Sequence, residues 1–246
     1  MHFFTALAKR LAALRIRISG PATPMVEPAA DRPPPMKFPK SQRALHYLGG
    51  LEGLEIGGSA HNPFGLNTKN VDFTGELDTV YKRAEVELCG ESLPVDIVAR
   101  GDELPVSDES QDFVISSHVI EHFFDPIKAL REWMRVVRPG GYIFVIAPHK
   151  ERTFDKDRPR TTLAELIARH EGRIPPPAHD THHHYSVWIT EDFLELCQYL
   201  GLTVVEFQDA DDKVGNGFTI IIKKEGELLR PAAPATRTKN SLRRAA

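Results

Sequence analysis

Gly101-Asp102-Glu103-Leu104-Pro105-Val106-Ser107-Asp108-Glu109-Ser110-Gln111-Asp112-Phe113-Val114-Ile115-Ser116-Ser117 is the centre of a longer span, Val95 to Pro148, whose reading decides the fold. Val95-Asp96-Ile97-Val98-Ala99 and Phe113-Val114-Ile115 are short β-branched runs bounded by polar turn residues, the pattern of buried parallel strands. They are expected to be neighbouring strands of one α/β sheet. Further on, Asp125-Pro126 joins a good N-cap to a residue suited to the first helical position, and Ile127, Leu130, Trp133, Met134 and Val137 then share one helical face. Pro139-Gly140-Gly141 should stop that helix, and the run Tyr142 to Ala147 supplies another buried strand. The resulting βαβ unit gathers its loops at the carboxyl ends of the strands, where open α/β sheets bind ligands.

A chain of 246 residues with 41% hydrophobic content can bury one sizeable core, so a single domain with tails is expected. The net charge of −3 argues against a nucleic-acid partner. Cys89 and Cys197 are far apart and form no CxxC, which suggests neither a disulfide framework nor a zinc knuckle. With no apolar run near the roughly 20 residues that span a bilayer and no secretory h-region at the start, a cytoplasmic location is expected.

Working outward, residues 1–19 alternate Phe3, Phe4, Leu7, Leu11, Leu14 and Ile16 with Lys9, Arg10, Arg15 and Arg17. That is a short basic amphipathic helix, either packed at the terminus or in weak contact with anionic lipid or a partner. Prolines accumulate from Gly20 to Lys40, so 1–40 reads as segment plus linker, 41–228 as the folded domain and 229–246 as a disordered basic tail. Ser41 should cap a helix through Leu48 that ends at Gly49-Gly50. Glu76 to Cys89 reads as a helix with Leu77, Val80, Tyr81, Ala84 and Leu88 inward, though Val86-Glu87-Leu88 also suits a strand. Thr190 should cap a helix buried through Phe193, Leu196, Cys197 and Leu200, followed by strands over Leu202 to Phe207 and Phe218 to Ile222.

Four fragments occur in order over about forty residues: Asp102-x-Leu104-Pro105, Asp112-Phe113-Val114-Ile115, Val119-x-Glu121-His122-x-x-Asp125-Pro126 and Arg135-Val136-Val137-Arg138-Pro139-Gly140-Gly141. Together they resemble the class I S-adenosylmethionine-dependent methyltransferases of the type 11 kind. The resemblance implies a Rossmann-like, doubly wound α/β sheet of about seven mostly parallel strands with an antiparallel last strand. It also implies S-adenosylmethionine as cofactor and methyl transfer as the reaction. Leu51 to His61 then holds the first strand and glycine loop, where Gly57 and Gly58 allow a sharp turn and close approach. By resemblance Glu55 holds the methionine ammonium, Asp102 with the Glu103 and Leu104 backbone contacts adenine, and Ser117 and His118 face the sulfonium and the acceptor. Asp72, at the end of a short strand Asn70 to Phe73, stands where this fold puts an acid on the ribose hydroxyls. Two features depart from the family: Ser59 and His61 replace the second and third glycines, and the short distance from Gly57 to Asp72 implies a clipped first crossover helix.

After the fifth strand, 148–188 forms an insertion holding His149, Asp155, Asp157, His170, His179, Asp180, His182, His183 and His184, six of the chain's eleven histidines. A Thr162-x-x-Glu165 capping box starts a short helix within it. The density suits an acceptor-binding lid, an acid–base relay or an imidazole–carboxylate metal site. Nothing in it resembles HxxxH on a helix or another ligand signature, so a metal-free lid is the expectation. Candidate bases for a hydroxyl or protonated amine are His118, His122, His149 and His182 to His184, with His122 equally readable as a packing or capping residue. The expected activity is methyl transfer to a small polar acceptor such as a sugar hydroxyl. The alternative is a non-catalytic module whose degenerate loop binds no cofactor; an NAD oxidoreductase would need a GxGxxG that is not there.

Overall fold

A computed structural model describes residues 35–178 and 184–226. The basic segment 1–19, most of the proline linker, His179 to His183 and the tail lie outside the described residues.

Seven strands form one sheet: β1 (Glu52–Ile56), β2 (Asn67–Asp72), β3 (Ile97–Val98), β4 (Gln111–Ser117), β5 (Val137–Pro148), β6 (Thr203–Gln208) and β7 (Gly217–Lys223). Their order is β3-β2-β1-β4-β5-β7-β6. The first five pair in parallel, and β7 runs antiparallel to both β5 and β6. This is the doubly wound, Rossmann-like arrangement expected, and the order reverses at β1, whose neighbours are β2 and β4.

Among the described residues five α-helices accompany the sheet: α1 (Gln42–Leu48), α2 (Val80–Cys89), α3 (Pro126–Val136), α4 (Leu163–His170) and α5 (Thr190–Tyr199). On one face α3, α4 and α5 bury Trp133, Leu166 and Phe193 against Leu54, Ile56, Val114 and Val145. On the other, Ala44 and Leu48 of α1 and Phe64 cover Phe113, Ile115, Phe144 and Ile146. Each fully buried Leu, Ile or Phe contributes about 1.5–3 kcal/mol, which is why the sheet rather than the loops carries the stability.

Local signals are realised where a side chain meets its own backbone. Ser41 Oγ accepts from Ala44 N at 3.0 Å and Asp125 Oδ1 from Lys128 N at 2.9 Å, starting α1 and α3 as read. Thr162 Oγ1 accepts from Glu165 N at 3.2 Å and starts α4.

Other expectations are corrected. Val95 to Ala99 yields only Ile97–Val98, at the sheet edge beside β2 rather than beside β4, with Val98 60% exposed. Apolar composition does not separate an edge strand from an interior one. The chain passes from α3 straight into strand at Val137, so that residue pairs with Gln111 instead of extending the helical face. Ile189, not Thr190, caps α5: Asp192 Oδ2 accepts from Ile189 N at 3.0 Å, and the Thr190 hydroxyl donates to Asp209. The fold also begins before Ser41, because Met36 N donates to Leu88 O and Phe38 N to His61 O, both at 2.8 Å. The insertion is not detached from the core either, since Leu166 and Trp188 are each 1% exposed within the main cluster.

The largest departure is α2. Leu77 and Tyr81 are exposed, while Lys82, Glu85 and Cys89 are buried. Its cause is the crossover from β1 to β2, which is indeed short and carries no helix. A backbone N–H of this helix-less crossover must find a side chain, and Glu85 Oε1 accepts from Ala60 N there as well as from Leu93 N in the loop after α2. Lys82 Nζ pairs with Glu85 at 3.1 Å and donates to Leu93 O at 2.8 Å. A polar face therefore turns inward and displaces the apolar stripe.

Candidate functional site

The predicted site residues lie in or at the ends of β1, β2 and β4 and in the segments that follow β1, β3, β4 and β5. Past β1, Gly57 has φ +66 and a Cβ there would stand 2.7 Å from Val119 Cγ2, so both conformation and space demand glycine. Gly57 N continues the ladder to Val71 O at 2.8 Å, and Gly58 N donates to Asn70 Oδ1 at 2.9 Å. Ser59 Oγ and His61 Nδ1 are 2.6 Å apart, so the two residues standing where glycines were expected hold each other. The His61 ring also meets Phe38, and burial lowers its pKa, keeping it neutral.

Glu55 lies beneath this loop, 8% exposed, accepting from Thr68 Oγ1 at 3.2 Å. Burial pushes its pKa up to about 7, against the pull of Thr68, Lys213 and Lys82. A carboxylate held there gains from any further cation. Asp72, the last residue of β2, is half-buried; burial raises its pKa, opposed by the Phe73 backbone N–H, by Lys82 and by the Thr74 backbone N–H.

Around Asp102 the geometry departs from the expectation. Arg100 grips its carboxylate through Nε at 2.9 Å and a terminal nitrogen at 3.0 Å, and Lys128 Nζ stands at 3.2 Å. Burial would raise this carboxyl, but the Arg100 and Lys128 charges outweigh it and hold it below the usual range. Glu103 N donates to Arg100 O at 3.0 Å and Leu104 N to Glu132 Oε1 at 2.6 Å. Both backbone groups expected on adenine are used internally, and the Leu104 side chain is core.

At the end of β4, Ser117 Oγ accepts from Asn62 Nδ2 at 3.3 Å, tying the glycine loop to the strand end. His118 follows with φ +56, a left-handed backbone rare outside glycine and a form of strain that clusters at functional sites. Its Nε2 and Asn62 Oδ1 are buried with no hydrogen-bond partner among the described residues. Burial drives the His118 pKa down to about 4, against the pull of Asp211 and with further lowering from His184 and His61, so the ring is neutral near pH 7. Asp211 itself accepts from the N–H groups of Lys213, Val214, Gly215 and Gly217 at 2.6–3.0 Å and shapes the loop between β6 and β7.

His149 and His122, two further histidine candidates, separate. His149 Nδ1 accepts from Glu151 N at 3.1 Å and caps the turn Lys150–Arg152, while its Nε2 is 3.7 Å from Asp209. With Nδ1 accepting, the proton sits on Nε2, and His149 is a capping residue rather than a base. His122 lies in the turn Ile120–His122, edge-on to Tyr81 at 6.0 Å and to His184 at 4.8 Å. The adjacent Glu121 is fully buried, and burial raises its pKa to about 7 against the pull of His184. Sequence reading missed Asn62 and Asp211; their roles depend on distant partners, and only the density of polar residues in the loops hinted at them.

The seven-stranded sheet, mostly parallel with an antiparallel last strand, is the Rossmann-like arrangement expected, and residues 59–145 match the methyltransferase domain family. Residues 59–145 thus resemble a methyltransferase domain of the S-adenosylmethionine-dependent class, and S-adenosylmethionine is the cofactor that such a domain implies. An uncharacterized protein of Methanocaldococcus jannaschii is 31% identical over 96 residues, 38% of this chain and 42% of that protein. An uncharacterized methyltransferase of Mycolicibacterium vanbaalenii is 36% identical over 98 residues, 37% of each chain. The alignments span less than half the length of these curated relatives. A solved S-adenosylmethionine-dependent methyltransferase of Methanosarcina mazei superposes with a TM-score of 0.48 at 16% identity, over 76% of this chain and 98% of that one.

Proposed function

We propose that the protein transfers the methyl group of S-adenosylmethionine to a hydroxyl of a small polar acceptor, of the kind a sugar presents. The observation that carries this reading is His118. It is a neutral imidazole held in a strained backbone at the end of β4, with a buried ring nitrogen that has no partner among the described residues.

The residues fit the cofactor in part. Gly57 and Gly58 provide the close approach, Asp72 suits the ribose hydroxyls, Glu55 suits the methionine ammonium, and Asn62 Oδ1 is an orphaned acceptor on the same loop. Asp102 has capacity left for a donor on adenine, whereas the Glu103 and Leu104 N–H groups do not. The bound cofactor would supply a methyl group already activated by a sulfonium. The protein's task is then alignment, together with a hydrogen-bond acceptor for the hydroxyl proton, a role open to His118 with Ser117 and Asn62 beside it.

The occupied amides of Glu103 and Leu104 favour a second reading, in which the sheet is kept and cofactor binding is lost. Calorimetric titration of S-adenosylmethionine and S-adenosylhomocysteine decides between them. Micromolar binding of both, without binding of NAD, supports the transferase. Absence of heat and of a melting shift at millimolar cofactor supports the module.

A further inference from the structure

Glu121 is fully buried, and neither of its carboxylate oxygens has a hydrogen-bond partner among the described residues. Such a group is costly unless a cation meets it. Two imidazoles converge on it: Nε2 of His122 and Nε2 of His184 each stand 3.8 Å from Glu121 Oε1. One ligand atom from each of the three residues lies within 4.8 Å of the others.

The other nitrogen of His184 is already committed, with Nδ1 2.6 Å from Asp155 Oδ2. Asp155 is 1% exposed and is braced in turn by Arg158 at 2.6 Å. A proton on Nδ1, donated to Asp155, leaves the Nε2 lone pair on the Glu121 side. A carboxylate behind an imidazole is how metal-ligating histidines are oriented. The two segments are also tied together by their backbones, since Tyr185 N donates to Glu121 O at 2.7 Å and an Arg158 terminal nitrogen to His184 O at 2.7 Å.

We propose that Glu121, His122 and His184 form a binding site for a divalent transition-metal ion of the zinc class. Two imidazoles and a carboxylate suit zinc, cobalt, nickel or iron(II) rather than magnesium or calcium. Tetrahedral bonds of about 2.0–2.1 Å separate ligand atoms by about 3.3 Å, so the two 3.8 Å spacings must close by about half an ångström and the spacing between the two imidazoles, within 4.8 Å, by no more than about 1.5 Å. Three protein ligands leave a position open for an exogenous oxygen. Because the Ile120–His122 turn follows directly on the end of β4, that oxygen belongs to a small polar molecule entering the same mouth. The site runs against the metal-free insertion expected from the sequence, and it stands whether or not the chain transfers methyl groups.

The test uses the full chain, stripped with chelator and titrated with cobalt(II) by absorbance and with zinc(II) by calorimetry. Expected are one equivalent of cobalt with visible ligand-field bands, displaced by zinc. Glu121→Gln and His122→Ala should each weaken the ion about a hundredfold, and Asp155→Asn about 10–100-fold, the usual loss when the group orienting a ligand is removed. Glu121→Gln removes a buried charge at constant shape, so it should melt no lower than the parent, and the effect on metal is then not misfolding. His182→Ala with His183→Ala should leave affinity unchanged. Sub-stoichiometric cobalt, or binding that survives Glu121→Gln and is lost with the His182 and His183 pair, overturns the site. A parallel titration of stripped protein with S-adenosylmethionine keeps failure of the metal site distinct from failure of the transferase reading.

Discussion

The hydroxyl of Ser59 and Nδ1 of His61 lie 2.6 Å apart across the turn that follows β1. A glycine-rich turn is shaped by backbone freedom; this one is shaped by a side-chain hydrogen bond between the residues that stand in for the glycines. A double-mutant cycle with Ser59→Ala and His61→Ala should give a coupling of about 0.5–1.5 kcal/mol in urea unfolding, the usual net contribution of such a bond. Strict additivity would mean that the pair does not hold the loop.

Asp72→Ala should weaken S-adenosylmethionine at least about tenfold, roughly 1.4 kcal/mol. The carboxylate's protein partners are the Phe73 and Thr74 N–H groups at a strand end, so melting should fall little. A variant that binds like the parent but melts much lower would make Asp72 a cap and overturn its ribose role.

Glu55 gives stability a pH dependence of defined sign. Burial raises its carboxyl from an ordinary 4.5 to about 7, so the folded state keeps a proton that the unfolded state has released. Below about pH 4.5 both states are protonated and nothing is lost; between there and about pH 7 stability falls, and above it the full penalty of about 3 kcal/mol remains. Thr68, Lys213 and Lys82 face the group and limit this penalty. Glu55→Gln should therefore be more stable than the parent at pH 8 and equal to it near pH 4, while binding cofactor less tightly. Denaturant melts at both pH values check the first half, and equal parent and variant stability at pH 8 would reject it.

His118→Asn keeps a residue that tolerates the left-handed backbone and removes the imidazole. Cofactor affinity should stay within about twofold while turnover falls about 10²-fold or more, the range for losing a positioned proton acceptor. Unchanged turnover with a hydroxyl acceptor would exclude His118 from the chemistry.

Among the described residues no helix is long and apolar enough to cross a membrane. The basic segment 1–19 and its weak contact with lipid or a partner lie outside the described residues.

What the sequence determined by itself was whatever depends on neighbours along the chain. Short continuous apolar runs bounded by turn residues marked β4, β5 and β7, and short-range caps at Ser41, Asp125 and Thr162 started their helices, because donor and acceptor there are three residues apart. The glycine turn and the acid ending β2 were legible for the same reason. Tertiary structure decided the rest. The inward face of α2 was set by the unpaired amides of Ala60 and Leu93, which outbid its apolar stripe for Glu85. The Glu103 and Leu104 amides were claimed by Arg100 and Glu132, and His149 became a cap. Glu121, His122, Asp155 and His184 share no local spacing; they meet because the segment leading into β-paired Trp188 is pinned across the end of β4. Burial then sets the protonation of Glu121 and His118, since the cost of charge depends on what surrounds a side chain rather than on what precedes it in the chain.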